Sequence, residues 1–259
     1  MAQTSVYPQN PTRSPKGIST AAVARSTLWN YTAPDPTKNI VFFEDFATSA
    51  VTVPIVTSGL AAASNSAWVF TVTEAGAGNA ATSWTNGNGG LFTITNDAAN
   101  NDLVVAQNKV EFILPASNKR IWFKSRFKVS DATNSAAVVG LQVTNTDPTA
   151  ATDGIYFYKA AAAATVDCIC RKNTTTGSTS ATSVATMADD TFIVLGYEFD
   201  GVRYIKVFVD EVHKTTIDLS TTASAYLPDT TIAMTMFIKN GAAAAKSMTV
   251  DYLFAACER

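Results

Sequence analysis

A single histidine, His213, stands in this chain of 259 residues, and its scarcity removes most of the common catalytic machinery. A Ser-His-Asp triad would have to be built around that one ring, yet no G-x-S-x-G elbow presents a nucleophile. Zinc sites with several histidines are excluded, and a Cys168/Cys170/Cys257/His213 set lacks the spacing of structural zinc sites. Cysteine is nearly as sparse. Cys168 and Cys170 share one face of a strand and are poorly placed to bridge each other, so an odd total of three reads as free thiols from a reducing compartment. Charged residues make up only 15% of the chain, and a net charge of -2 leaves no footprint for nucleic acid. No apolar run approaches the ~18–20 residues a membrane span needs. No signal-peptide pattern opens the sequence, where Pro8, Pro11 and Pro15 interrupt. The sequons at Asn30 and Asn173 then read as chance matches, and the expectation is a soluble protein made in a cytoplasm.

Leu, Glu and Lys, the usual helix builders, are also few. Thr, Ser, Asn and Ala take their place, which suits half-buried pleated surfaces joined by polar turns. The chain divides near residue 40. Before it, five of the nine prolines (Pro8, Pro11, Pro15, Pro34, Pro36) impose an extended segment. Residues 1–39 carry Arg13, Lys16, Arg25 and Lys38 against Asp35, a sum of +3, so the remainder carries -5. Tyr7, Leu28, Trp29 and Tyr31 are large for a linker, and with Arg13, Lys16 and Arg25 they read as an arm that contacts a neighbouring subunit or partner, an arm folded back on its own body being the alternative.

Residues 40–259 read as one β domain. Strands are expected at 40–46, 68–73, 91–95, 109–114, 120–129, 136–144, 154–159, 165–171, 191–199, 202–209, 212–219, 231–238 and 247–255, with turns at 86–90, 131–134, 145–148, 173–177 and 240–241. Asp200-Gly201 predicts a two-residue hairpin turn between two central strands. The alanine runs at 160–164 and 242–245 are too short to nucleate helices.

Other chemistry is tested and set aside. Gly76-Ala-Gly-Asn-Ala-Ala81 has the form G-x-G-x-x-A, but Trp84 and a turn follow where a dinucleotide site needs a helix, so it reads as a loop. Glu198 and Asp200 have the i, i+2 spacing that can bring two carboxyls to a retaining glycosidase's separation, yet the pattern of the sandwich glucanases continues to a second Glu four or five residues after the first, where this chain has Val202 and Arg203. Asn145, Asp147, Asp153 and Asn173 are oxygen donors in loops without an ordered calcium spacing. No metal, cofactor or catalytic residue is assigned, and the chain is read as not an enzyme. Tyr156, Tyr158, Trp68, Trp84 and Trp122 could stack on sugars. Trp68 and Trp122 are expected in the core, while Trp84 beside Asn86 and Asn88 is the expected ligand rim.

The run Phe42-Phe-Glu-Asp-Phe46, the Trp84…Asn88-Gly-Gly-Leu91 turn, Phe123-Lys-Ser-Arg-Phe-Lys-Val-Ser-Asp131, Val139-Gly-Leu141, Asp153-Gly-Ile-Tyr-Phe157, Leu195-Gly-Tyr-Glu-Phe-Asp-Gly201, Val207-Phe-Val-Asp210 and Thr249-Val-Asp-Tyr252 together resemble the concanavalin A-like (lectin/laminin-G-like) jelly-roll sandwich, and more narrowly sandwich proteins of tailed bacteriophages. The family's Asp-Gly after the Val-x-Val run is here Asp210-Glu211. The resemblance implies an all-β, antiparallel jelly-roll β-sandwich behind an extended N-terminal arm. It further implies a virion structural protein on the capsid surface, a decoration or cement protein docking on the major capsid protein or other virion subunits, homo-oligomeric, without cofactor, nucleic acid or membrane. The alternative is a glycan-binding tail-fibre or host-adhesion module.

Overall fold

Alternation of apolar and polar residues gives each strand one inward face, and two sheets close over those faces. The computed structural model describes residues 38–47, 59–64, 67–76, 78, 80–87, 89–116, 118–173, 180–219 and 226–259. Sheet A runs β14 (Val212–Asp218), β13 (Tyr204–Val209), β12 (Ile193–Phe199), β7 (Ile121–Val129), β16 (Ser247–Glu258), β5 (Gly89–Thr95) and β4 (Ala81–Gly87). β1 (Asn39–Glu44) joins it by pairing with the second half of β16. Sheet B runs β11 (Ser180–Thr186), β10 (Thr165–Arg171), β9 (Gly154–Lys159), β8 (Ser135–Gln142), β15 (Ala233–Asn240), β6 (Leu103–Asn108), β3 (Trp68–Glu74) and β2 (Gly59–Ser64). Every pairing described is antiparallel.

The inter-sheet core takes every second residue of each strand: Trp68, Phe70 and Val72 from β3, Met234, Met236 and Ile238 from β15, Leu195, Tyr197 and Phe199 from β12. Aromatic rings stack within it, Phe123 on Tyr197 of the adjacent strand at 5.3 Å and Phe46 on Phe92 at 5.1 Å. The Tyr197 hydroxyl donates to the Ile155 carbonyl at 2.8 Å, which satisfies a polar group deep in the apolar layer. Cys168 and Cys170 lie on the inward face of β10 as free thiols.

Several sequence expectations need correction. Residues 109–114 are not a strand; their one β-bridge is Ile113–Ile232, while Phe112 stacks on Phe42 of β1. The strand lies just before them, at β6, whose residues are all buried. β2, β4 and β11 were not anticipated. Each is the outermost strand of its sheet, and Gly-Leu-Ala-Ala-Ala-Ser or Ser-Ala-Thr-Ser-Val-Ala-Thr offers little bulk to read. The hairpin at Asp200-Gly201 exists, but its connection spans residues 200–203, and Phe199 pairs with Ile205. β13 lies one strand in from the edge, with Tyr204 and Lys206 exposed. The two-residue turn is the next one, where Asp210 (φ 48°) and Glu211 (φ 68°) both adopt the left-handed conformation between Val209 and Val212. There the Glu211 carboxylate reaches the nearly buried Lys124 ammonium.

Candidate functional site

Sheet B has a second, outward apolar face. Leu103, Val105, Ala136, Val138, Tyr156 and Phe237 cluster on it, with Tyr158 and Ile169 packed against them. The strands place these residues by simple alternation. On β9, Ile155 and Phe157 point into the core, so Tyr156 and Tyr158 point out. On β10, Val166, Cys168 and Cys170 point in, which puts Asp167, Ile169 and Arg171 on the outer side. Register then aligns the rows: Gln142, Gly154 and Arg171 form one, and Gly140, Tyr156 and Ile169 the next. Tyr158 stands in a third row between Val138 and Asp167. Both glycines in these rows lack side chains for steric reasons. A Cβ on Gly140 would fall 2.5 Å from the Tyr156 Cα, and one on Gly154 would fall 2.8 Å from the Gln142 Cγ.

The connection from β8 to β9, residues 143–153, is fastened over the first row. Asp147 caps a short 3-10 turn (Pro148–Ala150), accepting the Thr149 N–H at 3.0 Å and the Thr149 hydroxyl at 2.7 Å. The Gln142 Nε2 donates to the Pro148 carbonyl at 2.9 Å, and the Arg171 guanidinium donates to the Ala151 carbonyl at 3.0 Å. The Gln107 carboxamide accepts the Asn145 N–H at 2.9 Å and donates to the Thr235 hydroxyl at 2.9 Å. These bonds turn a polar loop into a fixed wall.

Within that wall, polar capacity is left over. The Tyr156 hydroxyl, the Gln142 Oε1 and the Arg171 Nε are buried with no hydrogen-bond partner. The Arg171 guanidinium lies over the Tyr156 ring at 5.9 Å from its centroid. Burial raises the Tyr156 phenol above its ordinary pKa; Arg171 and the neighbouring Gln142 carboxamide oppose this, though no hydrogen bond of ordinary geometry joins them to the phenol. The half-buried Tyr158 phenol is also raised, first by burial and then by the Asp147 and Asp167 carboxylates. The outer face near β9 thus combines two tyrosine rings, a guanidinium, a carboxamide and two carboxylates.

Other residues singled out from the sequence lie elsewhere. Glu198 sits on the outer face of sheet A, opposite Trp122 and Lys206, with Arg120 at 3.9 Å. Burial works against the charge on Asp200, but the backbone N–H groups of Val202, Arg203 and Tyr204 outweigh it and hold the carboxyl below its usual range. Asp200 therefore serves its turn and does not pair with Glu198. His213 is exposed on the edge strand β14, edge-on to Phe208 and 2.9 Å from the Thr216 hydroxyl. Trp68 fills the inter-sheet core as expected. Trp122 is buried too, but in a cluster with Phe254 and Ala256 on the outside of sheet A. The backbone of Trp84 and Asn86 belongs to β4, while their side chains, Asn88 and the arm residues Tyr7, Arg13, Lys16, Arg25, Leu28, Trp29 and Tyr31 lie outside the described residues. Asn145 and Asp147 are engaged in the loop wall, and the Asp153 carboxylate accepts the Asn173 N–H. Gln142, Asp167 and Arg171 were not anticipated; alternation about Cys168 and Cys170 puts Asp167 and Arg171 on one face of β10, and the register with β9 brings them beside the tyrosines.

No protein-family model and no curated sequence matches the chain. Solved structures do. An endo-1,3-β-glucanase from Streptomyces sioyaensis superposes with a TM-score of 0.56 at 13% identity, covering 88% of this chain and 99% of its own. The Emp47p carbohydrate recognition domain gives 0.53 at 13% identity over 86% and 98%. A structure from work on endo-acting O-glycanases of the human gut microbiota gives 0.54 at 10% identity over 83% and 97%. The fold is the concanavalin A-like, lectin-type jelly-roll sandwich. The reading of the chain as not an enzyme is corrected by the same finding. A missing triad and an incomplete carboxylate pair were taken to exclude catalysis, but the architecture is shared with an endo-glucanase and with proteins of O-glycanase type.

Proposed function

We propose that this protein engages glycans through the outer face of sheet B, at Tyr156, Tyr158, Gln142, Asp147, Asp167 and Arg171. A sugar ring has an apolar C–H face ringed by hydroxyls, so its site needs a flat aromatic surface with donors and acceptors at the margin. The carrying observation is the half-buried Tyr158 ring on an outward apolar face, in register with Asp167 and one strand from Arg171, with Asp147 in the adjoining loop. The fold's neighbours support the same class, since those named above are a glucanase, a carbohydrate recognition domain and O-glycanases. The capsid-decoration expectation rests on the resemblance to phage sandwich proteins and on the composition of residues 1–39, and none of the structural neighbours named above is of that kind.

The test is a glycan array followed by titration of the best ligand against the full chain. Tyr158 is half-buried on its strand, so Tyr158→Ala keeps the fold while weakening binding at least about tenfold, the worth of one aromatic platform. Arg171→Gln weakens the same ligand. Release of reducing ends is followed in parallel, and turnover lost in the same variants would give this face a glycan-cleaving role. Binding that is absent across the array, or indifferent to both substitutions, would remove the assignment.

A further inference from the structure

At the opposite flank of sheet B, β3 ends on Glu74 and the connection from β5 to β6 brings Asp97 and Asp102 against it. One oxygen from each carboxylate lies within 4.8 Å of the other two. Most of their remaining capacity is committed to backbone: Asp102 accepts the Ala75 N–H at 2.6 Å and the Ala99 N–H at 3.0 Å, and Glu74 Oε1 accepts the Ala80 N–H at 2.9 Å. The second oxygen of Glu74 accepts nothing, although the residue is only 8% exposed. No lysine or arginine among the described residues forms an ion pair with any of the three. Three acids crowded without a counter-charge, one of them buried with an orphaned oxygen, are costly unless a cation or a proton joins them.

The surroundings hold the acids in place. Asn240 donates its amide to the carbonyls of Asp97 and Ala99, and Asn96 donates to the carbonyls of Asp102 and Ile238 and to the Asn240 side chain. These bonds tie the loop backbone to β15 and oppose separation of the charges. Gly76 and Gly78, the glycines of the G-x-G-x-x-A run, form the facing wall. A Cβ at Gly78 would fall 1.5 Å from the Asp97 Oδ2, and one at Gly76 would fall 2.8 Å from the Ala99 Cβ. The spacing that fails as a dinucleotide loop is a cradle for a carboxylate.

We propose that Glu74, Asp97 and Asp102 bind a divalent cation of the calcium class. The donors are all oxygen, which suits hard ions over zinc or copper. Oxygens sharing one calcium at about 2.4 Å stand at most about 4.8 Å apart, and the three carboxylate oxygens lie within that limit. Water entering beside the partly exposed Asp97 completes the shell. A proton is the competing occupant, because burial and then the Asp102 charge raise the Glu74 carboxyl to about 7. It would join Glu74 to Asp102 through a hydrogen bond and leave the charges of Asp97 and Asp102 in place.

Calorimetric titration of calcium into the chelator-treated full chain should give one site per chain. Saturating calcium should raise the melting temperature by about 5 °C. Asp97→Asn, on a partly exposed residue, should lower calcium affinity at least tenfold. Glu74→Gln should abolish the thermal shift while leaving the calcium-free protein as stable as before or more so, which an acid with a purely structural role would not do. Asp229→Asn, in a remote ion pair, should change neither. The absence of binding heat and thermal shift at about 10 mM calcium, or an undiminished shift in Glu74→Gln, overturns the proposal.

Discussion

Replacing Lys159 by methionine isolates one buried charge whose energetic cost can be worked out from its surroundings. Lys159 closes β9 facing inward and is 1% exposed; its ammonium donates to the Ser135 and Ala160 carbonyls. Desolvation lowers its pKa from 10.5 to about 8, against the pull of the Asp131 and Asp189 carboxylates. The unfolded chain thus holds a proton between pH 8 and 10.5 that the folded chain has released, so stability rises with pH through that window. Between pH 7 and pH 9.5 the gain is on the order of 2 kcal/mol. Methionine nearly preserves the volume, and tyrosine titrations common to both proteins cancel in the difference. Packing and lost hydrogen bonds set the offset between the proteins at any one pH, whereas titration alone sets how that offset changes. Equilibrium urea unfolding followed by tryptophan fluorescence, repeated across this range, should show wild type gaining about 2 kcal/mol on Lys159→Met. A constant difference, or one that shrinks as pH rises, would refute the desolvated amine.

Glu211→Gly relieves a left-handed backbone worth about 1 kcal/mol but removes the carboxylate beside Lys124, for a net loss of about 1–2 kcal/mol. Adding Lys124→Met should return the double variant to wild-type stability or above, and a double-mutant cycle by urea unfolding reads the coupling. Gly140→Ala drives a methyl group into the Tyr156 backbone and should cost about 2–3 kcal/mol, a fall in melting temperature of about 4–10 °C. An unchanged melt would mean that β8 and β9 pack more loosely than their register implies.

The central strands were legible because both of their faces, or one face and a clear alternation, had to be apolar. β7, β9, β12 and β15 announce themselves in this way. The edge strands β2, β4 and β11 did not, since a strand with a neighbour on only one side needs less bulk, and its pairing is decided by the adjacent strand. Residues 109–114 misled for the opposite reason: Val110, Phe112 and Leu114 alternate well, yet Val110 is 66% exposed and no neighbouring ladder extends to them. The two tyrosines of the glycan face were visible in advance, but their polar companions depend on register across three strands, which spacing along one strand does not reveal. The acidic triad was hidden more deeply, because 22 residues and a complete hairpin separate Glu74 from Asp97.

β16 has a different neighbour along each stretch of one edge, β5 against residues 247–250 and β1 against residues 253–258, with β7 running along the other edge. It therefore acts as a late-arriving wedge. Until it is made, β1 waits more than 200 residues for its partner, and β7 and β5 have no strand to join them. Such long-range closure makes for slow folding, on the scale of milliseconds to seconds, with apolar edges uncovered meanwhile. Nascent chains of this protein should accordingly depend on chaperone protection up to the moment that wedge emerges.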